Sequence, residues 1–202
     1  MRNLALMGLA LLLAGCGGLR SNKEAERIYV LHPAALVPGG DAVPGVVRIA
    51  RPEVQPGLDT EHIVLTRAGN ELDYFADSRW GESLPQVLLA FATESLARSG
   101  QFQTVVATAP GSVPSDYEVL LTARHFEADY VGSAVQARVA FDCVLTAGNP
   151  RRVLGRCDAE VVEAAGENRM SEIVAALQSA AQKAMTTIGT RSAELIRGSL
   201  RK

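Results

Sequence analysis

Three long segments in the second half of the chain, Tyr117 to Tyr130, Val135 to Thr146 and Val153 to Val162, alternate apolar and polar residues. Side chains at that period fall on opposite faces of a strand, so each segment reads as a strand with one buried and one wet face. Strands of this length joined by short turns form an antiparallel meander whose apolar face needs a cover. In the second segment Val135, Ala137, Val139, Phe141, Cys143 and Leu145 take every odd position, with Gln136, Arg138 and Asp142 on the other side. In the third, Val153, Cys157, Ala159 and Val161 share a face against Arg156, Asp158 and Glu160.

A hairpin centred on Pro150, with the loop running from Gly148 to Arg152, pairs Ala147 with Val153 and sets Cys143 directly opposite Cys157. Directly opposed residues have Cβ atoms about 4.5 Å apart at the close pairs, near the separation a disulfide needs. A structural disulfide is therefore expected, although a slip of one residue in register would leave two buried thiols instead. Buried sulfurs outside a C-x-x-C spacing do not suit redox catalysis.

The cover comes from two helical patterns. Ser83-Leu84-Pro85-Gln86 reads as a helix start, with Ser83 able to cap, Gln86 placed to bond back and Pro85 tolerated in the first turn. Leu84, Val87, Leu88, Phe91, Ala92 and Ser95 then form one stripe, widened by Leu89 and Leu96, before Gly100 marks the end. That wide arc means either deep burial or a homo-oligomer contact. Met170, Ile173, Val174, Leu177, Ala181, Ala184, Ile188 and Leu195 form the face of a second, amphipathic helix opposite Glu172, Ser179 and Lys183. Shorter strands precede and separate these parts: Ile28 to Leu31, Val46 to Ala50, a hairpin of His62 to Thr66 and Glu71 to Phe75 about Gly69-Asn70, and Phe102 to Ala107. The expected fold is α+β, a largely antiparallel β-sheet with two main helices packed on one face.

The N-terminus sets the compartment. Arg2 precedes an apolar run from Leu4 to Leu13, too short for a membrane span of roughly 20 residues but suited to a secretory signal. Leu13-Ala14-Gly15-Cys16 resembles the lipobox of bacterial lipoproteins, which implies cleavage before Cys16 and its lipidation. Several acyl chains give a stable anchor where one would be marginal. Gly17 and Gly18 follow where inner-membrane lipoproteins commonly carry aspartate, so the resemblance implies the outer membrane. The expected organisation is a signal peptide over 1–15, a lipidated tether over 16–27 and a single domain over 28–202.

Lys and Arg number 20 against 22 Asp and Glu, so nucleic acid is not an expected partner. His32, His62 and His125 lie far apart with no metal-ligand spacing, and no metal or cofactor is expected. No nucleophile elbow, P-loop or dinucleotide fingerprint occurs, so the chain does not read as an enzyme. What remains is Asp77 to Pro85, with the only tryptophan, Trp80, between Arg79 and Glu82. Trp80 either staples a loop to the core or anchors a partner, since Trp and Arg recur in interface hot spots.

The ordered segments resemble the ABC-type transport auxiliary lipoprotein family. Tyr29-Val30-Leu31, Val47-Arg48-Ile49, Leu58-Asp59 with Ile63-Val64, and Glu71-Leu72-Asp73-Tyr74 carry the likeness, and Arg79-Trp80-Gly81-Glu82-Ser83-Leu84-Pro85 is its most specific element. Ser83 stands where the family often has proline. The resemblance implies a non-catalytic accessory subunit, anchored at the periplasmic face of the outer membrane. It would dock a mammalian-cell-entry domain protein of a lipid transport system, with an ATPase and permease at the inner membrane supplying energy. A lipoprotein carrying lipid in its own apolar pocket between sheet and helices is the alternative.

Overall fold

The computed structural model describes residues 25–33, 41–67, 71–109, 111, 113–148 and 150–201. Its centre is the long hairpin of β7 (Tyr117–Val131) and β8 (Ala134–Ala147), paired antiparallel from Tyr117 opposite Ala147 to Val131 opposite Ala134. Along the far edge of β8 lie β9 (Arg152–Arg156) and β10 (Ala159–Ala164), also antiparallel. Along the other edge of β7 lie, end to end and parallel to it, β2 (Val43–Ile49), β3 (Glu53–Val54) and β4 (His62–Arg67). β6 (Phe102–Ala107) extends the sheet beyond β2. β5 (Glu71–Trp80) returns antiparallel to β4, and β1 (Arg27–Tyr29) closes that edge parallel to β5.

The fold is α+β as expected, with the meander contributing its longest antiparallel ladders. The parallel pairs arise because β2, β3 and β4 follow one another along a single strand, an arrangement that alternation alone cannot reveal. Helices α1 (Leu84–Arg98) and α2 (Met170–Leu200) cover the sheet, α1 mainly over β6 and α2 over β8 and β10. Between the layers Trp80, Phe126, Phe141, Leu88, Leu96, Ile173 and Leu177 are each at most 2% exposed. At roughly 1.5–3 kcal/mol per buried large side chain, this interlayer is the main stabilising term.

Several expectations change in detail. The wide apolar arc of α1 is consumed inside the chain, since Leu89 and Leu96 are both buried, so it no longer argues for an oligomer. Ser83 is the N-cap of α1 but makes no side-chain cap; its carbonyl accepts from Gln86 and Val87, and Leu84 N–H donates to Thr60 O at 3.0 Å. The first segment is not uniformly core: Tyr29 and Leu31 pack inward while Ile28 and Val30 stay exposed. The third alternating segment is two strands, broken at Cys157 and Asp158.

The expected register near Pro150 is also displaced by one. Ala147 pairs with Arg152 and Thr146 with Val153; a bulge at Leu154 then restores Leu145 opposite Gly155 and Val144 opposite Arg156. An extra residue on one strand reverses which face its neighbours occupy. Val153 consequently points outward, 65% exposed, while Leu154 packs on the core.

Candidate functional site

The corner between β5 and α1 holds the Arg-Trp-Gly-Glu motif. Trp80 is the last residue of β5, not part of a loop, and is 1% exposed. Its N–H donates to Glu61 O at 2.7 Å, and its ring meets Phe126 edge-on at 5.9 Å between centroids. Buried and packed in this way, the ring belongs to the core and is not an accessible contact anchor, contrary to the alternative of a partner anchor. Arg79, one residue earlier, points to the other side. Its Nε donates to Glu26 at 2.9 Å and its Nη1 to Glu61 at 3.0 Å, clamping the chain before β1 and the chain before β4 to β5. Glu82 is exposed at the lip of a groove.

That groove, about 330 Å3, runs between the residues Tyr29 to Leu31 and the outer side of α1, over Val87, Ala90 and Phe91. Gly81 N–H donates to Tyr29 O at 3.2 Å. Ile28 and Val30 lie within 4.0 Å of where a Cβ on Gly81 would stand, so the missing side chain leaves them as the groove's open apolar shoulder.

Cys143 and Cys157 are brought together and bonded, with Cα atoms 4.8 Å apart and both residues fully buried. Asp158 caps this point: its Oδ1 accepts from Cys143 N–H at 2.8 Å, and Arg156 holds the same carboxyl through Oδ2 at 2.7 Å. The guanidinium keeps the Asp158 carboxyl below its ordinary range, and Arg138 does the same for Glu160. Cys16 lies outside the described residues, as does the expected turn at Gly69 and Asn70.

One group escaped the sequence reading. At Arg124 a bulge interrupts β7, so the buried positions change from Val119, Leu121 and Ala123 to Phe126 and Ala128. The same shift turns Glu127 to the face opposite Phe126 and Ala128, where it is buried at the foot of a cleft of about 520 Å3. His125 Nδ1 lies 2.7 Å from Glu127 Oε1, and Phe126 N–H donates to Oε2 at 2.6 Å. Burial pushes the Glu127 carboxyl up from its ordinary value, against the opposing pull of His125 and of Phe126 N–H. The change of phase between Ala123 and Phe126 was the available signal. Thr66 Oγ1, in the same cleft, donates to Asp129 Oδ1 at 3.1 Å. Among the described residues no group of three or more His, Cys, Asp or Glu is placed to hold a metal.

The family of ABC-type transport auxiliary lipoprotein components matches residues 29–189, spanning every strand and helix from β1 into α2. The chain belongs to this family. The match leaves residues 1–28 and 190–202 outside it. The fold is similar to that of protein XCC0632 from Xanthomonas campestris, at TM-score 0.79 and 19% identity over 87% of this chain and 99% of that one. It is also similar to the hypothetical protein CT253 from Chlamydia trachomatis, at TM-score 0.50 and 9% identity over 76% and 98% of the two chains. At these identities the likeness is one of fold. No curated protein matches the chain. As a member of the family, the chain is an auxiliary lipoprotein component of ABC-type transport.

Proposed function

We propose that the chain is lipidated at Cys16, stands at the periplasmic face of the outer membrane, and docks the periplasmic end of a mammalian-cell-entry domain protein. In this reading it performs no chemistry, and an ATPase and permease at the inner membrane drive lipid movement. The observation that carries it is the family match over 29–189. The interlayer space supports docking over carriage, because aromatic and aliphatic side chains fill it. The His125–Glu127 pair is compatible with a structural role, since Glu127 also satisfies the Phe126 N–H. Arg79 and Trp80 then serve the family by fixing the corner that orients α1. Cys143 and Cys157 act as a structural crosslink in an oxidising compartment.

The test is a crosslinking pulldown of the acylated protein from membranes, with mass spectrometry of proteins and extractable lipid. Recovery of a mammalian-cell-entry domain protein is expected. Stoichiometric lipid without such a partner would replace docking by carriage. Density-gradient separation of the two membranes, beside a Cys16→Ser variant, reads the anchor and its location.

A further inference from the structure

The apolar shoulder formed by Ile28 and Val30 lies at the start of the described chain, 12 and 14 residues after Cys16. Ile28 is 57% exposed and Val30 54%; Ile28 lies on β1 and Val30 just past its end, and β1 pairs with β5 along one edge and with no strand along the other among the described residues. Beside them the groove over Val87, Ala90 and Phe91 is lined mainly by carbon. Large β-branched side chains on an open sheet edge are normally covered or replaced by charge, because they invite association.

What covers them is indicated by where the chain leads. Ten residues, 17–26, separate Cys16 from β1, and even fully extended they span only about 35 Å. An acylated Cys16 therefore keeps the start of β1 within about 35 Å of the bilayer surface. A short tether turns a weak second contact into an effectively intramolecular one. The rim carboxylates, Glu82 and the Arg98-paired Glu94, stay in water beside the headgroups, so the contact rests on the apolar shoulder and the tether.

We propose that Ile28, Val30 and the adjoining groove along α1 form a membrane-seating surface that rests on the lipid bilayer holding the anchor and fixes the orientation of the domain on that anchor. This rests on the anchor reading above.

The test uses the full-length acylated protein reconstituted in vesicles of phosphatidylethanolamine and phosphatidylglycerol whose acyl chains carry bromine, a contact quencher of tryptophan. Ile28→Trp and Val30→Trp report on the shoulder, while Val153→Trp and Val162→Trp report on exposed positions elsewhere; native Trp80 is buried and serves as a constant background. Emission should be lost at 28 and 30 and retained at 153 and 162. Equal quenching at all four positions, or none at 28 and 30 in protein that floats with the vesicles, overturns the seating surface and leaves the anchor intact. Protein that does not float with the vesicles overturns the anchor and the seating surface together. Crosslinking of position 28 to a protein, with no quenching there, assigns the shoulder to that protein instead.

Discussion

Cys157 N–H donates to Cys143 O at 2.9 Å, so the two residues whose sulfurs are bonded are also joined through the backbone. This alignment depends on the bulge at Leu154, which returns the strand to a register in which Cys157 faces inward opposite Cys143. It sits where β9 ends and β10 has not begun. The crosslink thus takes over from the ladder at the one break along the edge of β8.

Loss of that crosslink should destabilise the fold without dissolving it. Closing a loop of about 15 residues is worth roughly 3 kcal/mol in the chain-entropy model. Denaturant titration of a Cys143→Ala/Cys157→Ala variant, or of the reduced protein, should show a loss of that order. A midpoint equal to that of the oxidised wild type would mean that the pair contributes nothing to stability.

The fold class, both helices and the inward face of β8 were legible because periodicity reports burial directly. Val135 to Leu145 needs no tertiary information to be read as one face. What was not legible lies where one residue is inserted. The bulges at Arg124 and Leu154 invert the pattern across them, turning Glu127 to the face opposite Phe126 and Val153 to the outside, and a fixed alternation cannot anticipate that. The same limit applies to Trp80. Local sequence leaves it two roles, and only the distant Phe126 and Glu61 decide between them.

Trp80 and Arg79 should separate cleanly in their effects. Trp80→Ala removes a fully packed ring and should cost about 3–5 kcal/mol, whereas Trp80→Phe should cost less. Arg79→Ala removes two partly exposed ion pairs and should cost at most about 1 kcal/mol. Thermal or denaturant unfolding gives the order. A folded Trp80→Phe protein that loses its transport partner in pulldown would restore Trp80 to the interface.

Glu127 predicts a specific pH dependence. Its folded-state value lies above the unfolded one, so in the window between them the folded chain binds more proton and this group's contribution to stability falls as pH rises. Asp158 and Glu160, held below their ordinary values, act with the opposite sign: their contribution is present above the unfolded value and is lost as pH falls through the folded one. The Glu127 component is isolated by comparison with Glu127→Gln, which keeps an acceptor for Phe126 N–H. Melting temperatures across the acidic range should show Gln gaining on the wild type as pH rises through that window. Parallel curves would remove the buried carboxyl as a pH-sensitive element.

Gly45 makes the sharpest backbone prediction. Its φ of +94° is a conformation that disfavours any side chain, and a Cβ there would stand 2.7 Å from Asp116 Oδ2. That oxygen is already committed, accepting from Val46 N–H at 2.8 Å, while Asp116 N–H donates to Val46 O at 3.0 Å. The exchange ties β2 to the start of β7 just where their parallel ladder begins. Gly45→Ala must therefore strain the backbone and displace the carboxylate, together costing roughly 2–4 kcal/mol. Asp116→Ala removes the bond alone. Because both changes strike one interaction, the double variant should lose less than the two single losses combined. Full additivity in a denaturant double-mutant cycle would show that Gly45 and Asp116 act independently, and that the positive φ alone explains the glycine.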